Sequence, residues 1–248
     1  VFVILLIPLI LLSACGISPR TPTATPRPTT PFADFADIQG QVVTFTTEDN
    51  VKLNATLYGD GPIAVILAHM GLPGVTQKSW QPFAKHISTL GYSALTLDFR
   101  GRGLSEGALI QSNLKYDIDA AVKFLREQGY QRIVCMGTSM GGAACLRAVI
   151  DNHLDGLVVI AGPFSVGIPT STNPAELEDL TIPTLFITAK DDPYSCEIDI
   201  KVMYAKASEP KQLIIYEGVS AHGTDLFFTS VGTELRDSLV TYLSLIPK

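Results

Sequence analysis

The sequence lacks any excess of positive charge. Its 248 residues include 18 Lys and Arg against 24 Asp and Glu, which gives a net charge of −6 at pH 7 and a pI near 5.2. Nucleic-acid binding calls for a basic patch, often interleaved with aromatic residues. The sequence has no such stretch, so we expect no nucleic acid among the partners.

Cysteine and histidine are scarce, with four residues of each type. No C-x-x-C pair or Cys/His spacing typical of zinc sites occurs, so we expect neither a metal nor a cofactor. Cys135 and Cys145 fall in apolar strand and helix patterns and are interpreted as core residues. One disulfide among Cys135, Cys145 and Cys196 is possible, but spacing alone cannot pair them.

The chain also lacks an apolar run long enough to span a bilayer. Residues 1–12 are apolar apart from Pro8, whereas a transmembrane helix needs about 18 or more apolar residues, so the pattern is typical of a signal segment. No basic residues precede it, and position 1 is Val instead of Met. Residues 12–15, Leu-Ser-Ala-Cys, resemble a bacterial lipobox, which implies lipidation at Cys15. A buried apolar helix is the alternative.

Residues 18–31 are rich in threonine and proline and cannot bury much apolar surface. In polyproline II form such a tract would reach on the order of 40 Å. We therefore predict a signal peptide over residues 1–15 and a tether over 16–38. The globular part would then be lipid-anchored on the extracytoplasmic side of a bacterial cell envelope.

Residues 39–248 form one predicted domain. Eight short apolar runs, among them IAVILAH, RIVCMG and IPTLFIT, read as strands, and amphipathic stretches such as 79–90 and 112–128 read as helices. Continuous apolar strands that alternate with helices predict an α/β fold with a mostly parallel eight-stranded sheet and helices on both faces. Ligands of such sheets bind at the carboxyl ends of the strands.

The pattern G-x-S-x-G, typical of a nucleophile elbow, occurs twice. In residues 137–141 it follows the strand RIVCM directly and opens a helix of small residues, which is the context that an elbow needs. In residues 103–107 it lies in a glycine-rich loop, several residues beyond the nearest strand. Ser139 is therefore the predicted nucleophile, and Ser105 is interpreted as a turn residue.

A serine nucleophile needs a histidine base and a carboxylate that orients it. His222 follows the last strand in a loop of small residues and is the predicted base. Asp191 and Asp192 follow the preceding strand, and only one of them can point at His222. The order Ser, Asp, His resembles the α/β-hydrolase superfamily. The resemblance covers about residues 40–248 and favours Asp192, which precedes Pro193, over Asp191.

The same resemblance implies an oxyanion hole built from backbone amides. The segment LAHMGLPGVTQKSW matches the loop that supplies one amide, although Met70 replaces the glycine of many relatives. Met70 and Met140 are the predicted donors, with Gly71 as the alternative to Met70. Apolar and aromatic residues are the candidates for an acyl pocket, and the alternative for them is a place in the core: Leu72, Phe164, Tyr194, Phe227 and Phe228.

These features predict a serine hydrolase, specifically a carboxylesterase that acts on small or short-chain acyl esters. About twenty residues separate the sixth and seventh strands, too few for a large helical lid. A serine peptidase or acyltransferase on the same fold is an alternative, and a binding lipoprotein without turnover is another. The oligomeric state is left open.

Overall fold

The structure, a computed structural model, describes residue 32, residue 35 and residues 37–163, 174–194 and 196–247. The predicted signal segment, the lipidation site Cys15 and most of the predicted tether lie outside these residues. Within the described part, no helix combines the length and apolar character needed to cross a bilayer.

Eight strands form a single sheet, as the apolar runs predict. Their bounds are β1 Gln41–Thr46, β2 Lys52–Tyr58, β3 Ile63–Ala68, β4 Ser93–Leu97, β5 Arg132–Thr138, β6 Gly156–Ile160, β7 Thr184–Ala189 and β8 Lys211–Tyr216. The spatial order is β1-β2-β4-β3-β5-β6-β7-β8. The strands β1 and β2 pair antiparallel, as do β2 and β4, and all other neighbours pair parallel. The predicted mostly parallel sheet is confirmed.

Helices cover both faces of the sheet. They are α1 Gln81–Thr89, α2 Leu114–Glu127, α3 Met140–Asn152, α4 Pro174–Glu178, α5 Cys196–Lys206 and α6 Gly232–Leu243. Short 3₁₀ turns precede α1 and α2, so the two predicted helical stretches each begin with a tighter turn.

The central strand β3 shows why two helical layers are needed. All six of its residues are buried, and successive side chains point to opposite faces. Val65 and Leu67 enter one core, which includes residues of α1 and α6. Ala64 and Ile66 enter the other, which includes residues of α2, α3 and α5. A strand apolar on both sides is stable only when both faces are covered.

The first described residue, Phe32, also packs on the domain. The residue is 8% exposed, and its ring lies 5.1 Å from the ring of Phe227 and 6.3 Å from that of Phe83, measured between centroids. Phe32 falls within the predicted tether. The packed structure therefore includes at least one residue on the N-terminal side of position 39.

Because β5, β7 and β8 are parallel, their carboxyl ends meet at one edge of the sheet. The residues that follow these strands, Ser139, Asp192 and His222, are thereby brought to the same side of the molecule. The connection between β6 and β7 spans residues 161–183, and its described part contains only the short helix α4.

Candidate active site

Ser139 lies on the sharp turn between β5 and α3. Its φ of 51° and ψ of −120° place it in a backbone region that residues other than glycine rarely adopt. The amide of Ser139 donates to the carbonyl of Ile160 (2.8 Å), and its carbonyl accepts from the amide of Ala143 (3.1 Å). These hydrogen bonds fix the turn, and the partly exposed side chain stands at the carboxyl edge of the sheet.

The glycines of the motif permit this turn because they leave room for neighbouring backbone. A Cβ at Gly137 would collide with the carbonyl of Gly141. A Cβ at Gly141 would collide with the carbonyls of Ala68 and His69. The start of α3 therefore packs directly against the end of β3, which only glycine allows.

A disulfide bridges the strand and the helix that flank Ser139. It joins Cys135 of β5 to Cys145 of α3, whose Cα atoms lie 5.6 Å apart, and both residues are buried. The core positions predicted for these two cysteines agree with their burial, and the pairing that spacing could not decide is resolved. Cys196 is the free cysteine of the described residues.

The second G-x-S-x-G match has a structural role. The hydroxyl of Ser105 donates to the carbonyl of Asp98 (2.6 Å) and accepts from the amide of Asn54 (2.8 Å). The carboxylate of Asp98 in turn accepts from the amides of Gln77 (2.8 Å) and Leu104 (3.1 Å). These bonds tie a surface loop to β2 and leave the Ser105 hydroxyl engaged away from the pocket that Ser139 lines.

The structure brings His222 and Asp192 together. Nδ1 of His222 lies 2.9 Å from Oδ2 of Asp192, and the two residues are only 4% and 5% exposed. The other carboxylate oxygen, Oδ1, accepts from the amide of Tyr194 (2.8 Å). Asp191, by contrast, is exposed at the surface. Of the two adjacent carboxylates, Asp192 is the one that faces the histidine.

This contact determines which imidazole nitrogen carries the proton. An ionised carboxylate only accepts hydrogen bonds, so Nδ1 of His222 is the donor to Asp192. In the neutral ring Nε2 is then unprotonated and able to accept a proton. That is the tautomer that a base acting on a serine hydroxyl requires.

The other histidines are engaged elsewhere. His69 is fully buried, its Nδ1 donates to the carbonyl of Met70 (2.7 Å), and its Nε2 accepts from the amide of Phe99 (3.2 Å). Burial holds the pKa of His69 below its usual value, which keeps the ring neutral. His86, which lies on α1, packs against the rings of Phe32 and Phe35, and His153 is the residue that ends α3.

The loop after β3 presents its backbone to the same site. The carbonyl of Met70 is held by His69, and the carbonyl of Gly71 accepts from Nη2 of Arg102 (3.0 Å). The amide of a trans peptide points away from its carbonyl, so the Gly71 amide faces away from His69. Gly71 and Met140 both line the pocket, and a Cβ at Gly71 would crowd the Met140 side chain, whereas Met70 is buried and does not line the pocket. This arrangement favours Gly71 over Met70 as the partner of Met140.

A pocket of about 310 Å³ opens over Ser139 and His222. Its lining includes the apolar residues Leu72, Ala143 and Pro163. It also includes Gln111, Tyr194, Cys196 and Asp199, which carry polar groups. Sequence reasoning missed most of these residues, because they come from separate loops and helix ends with no shared motif. Among the missed residues, only Cys196 could have been found from the sequence, because it follows the predicted acid Asp192 by four positions.

The structure divides the predicted acyl-pocket residues between the pocket, the core and the surface. Leu72 and Tyr194 line the pocket, and the Tyr194 ring lies 4.6 Å from that of His222. Phe227 instead belongs to the core, where it is 2% exposed and its ring is stacked on Phe83. Phe228 is 39% exposed and does not line the pocket. Phe164 lies outside the described residues.

Solved structures with the same architecture include an esterase of Pyrococcus furiosus, Pf2001, with a TM-score of 0.73. It is 18% identical and the match covers 85% of this chain and 93% of that one. A serine hydrolase without a lid from Xanthomonas campestris matches with a TM-score of 0.68 and 19% identity, over 85% and 96% of the two chains. The chain has the α/β-hydrolase fold. The small connection between β6 and β7 accords with a fold that carries little or no lid.

Sequence matches support the α/β-hydrolase superfamily. The family model described as serine aminopeptidase, S33, matches residues 62–177. A 2-hydroxy-6-oxononadienedioate/2-hydroxy-6-oxononatrienedioate hydrolase of Pseudomonas sp is 29% identical, over 50% of this chain and 45% of that protein. The quorum-quenching protein AidA of Acinetobacter baumannii is 31% identical, over 52% and 45% of the two chains. The chain thus spans less than half of the length of the curated relatives it matches.

Proposed function

We propose that the protein is a carboxylesterase that hydrolyses small or short-chain acyl esters through Ser139, His222 and Asp192. One observation carries the proposal. His222 and Asp192 form a buried pair joined at 2.9 Å. His222 lines the same pocket as Ser139, which stands on a strained strand-to-helix turn. A strained backbone at such a position is typical of functional sites.

The chemistry follows from the tautomer of His222. Its Nε2 takes the hydroxyl proton of Ser139 as the oxygen attacks the ester carbonyl, and Asp192 stabilises the imidazolium that forms. The imidazolium then gives the proton to the departing alkoxide, which leaves an acyl group on Ser139. A water molecule, activated by the same nitrogen, hydrolyses this acyl-enzyme and restores the serine.

The negative charge that develops on the carbonyl oxygen needs hydrogen-bond donors. Met140 is the first residue of α3, so its amide has no intrahelical acceptor. Within the described residues neither this amide nor that of Gly71 donates to a protein acceptor. We assign these two amides to the oxyanion, and removal of one such donor typically costs about 2.7–4 kcal/mol in the transition state.

The pocket supports small substrates. At about 310 Å³ it lies at the lower end of the range of about 300–1,000 Å³ found for small-molecule sites. The lining residues Leu72, Ala143 and Pro163 offer apolar surface for a short acyl chain. We expect hydrolysis of acetyl and butyryl esters to exceed that of long-chain esters.

The test is hydrolysis of p-nitrophenyl acetate, butyrate and palmitate by the purified chain and by two serine variants. Ser139→Ala should abolish turnover above the uncatalysed rate. Ser105→Ala, the matched control from the second G-x-S-x-G match, should retain turnover if it folds. Inactivity of the folded wild type on every ester, or equal losses in the two variants, would contradict the proposal.

An aminopeptidase is the second candidate, because the matching family model carries that description. The pocket also contains Asp199, a carboxylate of the kind that can attract the ammonium group of a peptide N-terminus. Amino-acid p-nitroanilides distinguish the two functions, because their cleavage releases a coloured nitroaromatic product that is followed by absorbance, as for the p-nitrophenyl esters. Turnover of the anilides at rates above those of the esters would favour the aminopeptidase.

We also propose that Cys15 carries a lipid and that the domain acts on the extracytoplasmic side of a bacterial envelope. The lipobox-like residues 12–15 and the threonine- and proline-rich tract support this. A disulfide between Cys135 and Cys145 is typical of oxidising compartments outside the cytosol. Expression in bacteria grown with an alkyne-bearing fatty acid should label the wild type and leave Cys15→Ser unlabelled; an unlabelled wild type would contradict the anchor.

A further inference from the structure

Cys196 is a buried thiol beside the proposed triad that the ester chemistry does not use. It opens α5, is 5% exposed and lines the pocket together with Ser139 and His222. Its Sγ lies 3.9 Å from the carbonyl of Tyr194. Burial, reinforced by the charge of Asp192, raises the pKa of this thiol to about 12. The thiol is therefore protonated at neutral pH and is a poor nucleophile.

Three different metal-binding groups meet at this point. A carboxylate oxygen of Asp192, Sγ of Cys196 and a ring nitrogen of His222 all lie within 4.8 Å of one another, and all three residues are buried. In tetrahedral zinc sites the metal–sulfur distance is about 2.3 Å and the metal–nitrogen and metal–oxygen distances are about 2.0–2.2 Å, so the ligand atoms are about 3.3–3.8 Å apart. Movements of about 1 Å would bring these groups to that spacing.

We propose that Asp192, Cys196 and His222 form a binding site for Zn²⁺ and that the bound cation switches the hydrolase off. The binding site stands on the geometry of the three side chains. Its inhibitory effect rests on the proposed function, because two of the three ligands are the acid and the base of the triad.

The donor set selects the class of cation. A thiolate, an imidazole and a carboxylate suit Zn²⁺ and chemically similar ions, whereas Mg²⁺ and Ca²⁺ prefer oxygen ligands throughout. Asp199 also lines the pocket, and none of the described lining residues is a lysine or an arginine.

Binding of the cation removes the base. The thiol of Cys196 loses its proton to solvent as the metal–sulfur bond forms. Nδ1 of His222 is the nitrogen that faces Asp192, so it is the one that would bind the metal. The ring proton then moves to Nε2, which can no longer accept a proton from Ser139. Three protein ligands leave one position of a tetrahedral Zn²⁺ for water.

The experiment titrates Co²⁺, a spectroscopic substitute for Zn²⁺, into the purified full-length chain. We expect a near-ultraviolet thiolate-to-cobalt charge-transfer band, displaced by Zn²⁺ and unaffected by Mg²⁺. Loss of an outer-shell partner alone weakens metal binding by about 10–100-fold, so removal of a direct ligand should weaken it by about 100-fold or more. Cys196→Ala should abolish the band, and His222→Ala should weaken Co²⁺ binding by that factor. Asp191→Asn, the exposed neighbour of the acid, should leave the affinity unchanged.

Ester hydrolysis in the presence of Zn²⁺ supplies the second measurement, with each active variant referred to its own metal-free rate. Half-inhibition of the wild type should occur at the dissociation constant measured for Zn²⁺, and Cys196→Ser, the conservative variant, should need about 100-fold more metal. Absence of the band in the folded wild type would overturn the site, and so would equal Co²⁺ affinity in His222→Ala. A wild type that binds Co²⁺ but hydrolyses no ester would sustain the site and refute the proposed esterase. Zn²⁺ that binds an active enzyme without inhibiting it would overturn the switch.

Discussion

Replacement of Asp192 by asparagine gives the sharpest test of how the proposed triad operates. The carboxylate uses both oxygens, one towards Nδ1 of His222 (2.9 Å) and one towards the amide of Tyr194 (2.8 Å). In Asp192→Asn the amide oxygen must face the Tyr194 N–H, since only the oxygen can accept. The NH₂ group is then turned towards His222.

This reversal changes the tautomer of the base. Facing a donor, Nδ1 of His222 becomes an acceptor, and the ring proton moves to Nε2, where it confronts the hydroxyl of Ser139. The same substitution in serine-protease triads lowers kcat about 10⁴-fold, which corresponds to about 5.4 kcal/mol. We expect a loss of that size in Asp192→Asn, with KM changed only slightly because the pocket wall is preserved.

The assay is steady-state hydrolysis of p-nitrophenyl butyrate, with thermal unfolding to verify that each variant folds. Asp191→Asn is the matched control: it removes the neighbouring, exposed carboxylate and should retain wild-type kcat. More than a tenth of wild-type kcat in a folded Asp192→Asn would refute the reasoning. A folded Asp191→Asn that lost activity would refute it equally, since the exposed carboxylate would then be the one that orients His222.

Two predictions concern stability. Arg100 is 2% exposed and donates to the fully buried carboxylate of Asp117 (2.8 Å), so Arg100→Met should lower the free energy of unfolding by about 3–5 kcal/mol. Lys123→Ala, which removes an exposed ion pair, should have no measurable effect. Equal Tm values for the two variants would contradict this prediction. Replacement of both Cys135 and Cys145 by alanine should cost about 2–4 kcal/mol and make Tm insensitive to dithiothreitol. A wild type whose Tm is itself insensitive to reduction would show that the disulfide is absent.

The fold could be predicted because its strongest signals are local. The run IAVILA is apolar at every position, and it forms the fully buried central strand β3. Gly137 and Gly141 stand where any side chain would collide with backbone, which explains why G-x-S-x-G marks the turn so reliably in the context of a strand and a helix. The parallel order of the strands then brings their carboxyl ends, and the residues that follow them, to one edge.

What the sequence could not decide depends on orientation between elements. Cys135 and Cys145 pair because the turn at Ser139 folds α3 back along β5, and spacing alone does not reveal that. The choice between Met70 and Gly71 depends on which way one peptide plane is turned, and the hydrogen bond from His69 determines this.

Whether an aromatic side chain lies in the pocket or in the core could not be predicted for a similar reason. Phe227 lies in the core and Tyr194 lines the pocket, yet each follows one of the last two strands of the sheet along the chain. The approach of Cys196 to Asp192 and His222 is also tertiary, since it results from the turn that leads from β7 into α5.

The proposed chemistry depends above all on Ser139 being a nucleophile activated by its surroundings, and covalent labelling tests this without any assumption about the substrate. The purified chain would be treated with a fluorophosphonate, and the modified peptide would be identified by mass spectrometry. We predict one adduct, on Ser139, that disappears in Ser139→Ala and persists in Ser105→Ala. A folded protein that takes up no label, or takes it up on Ser105, would contradict the assignment of Ser139.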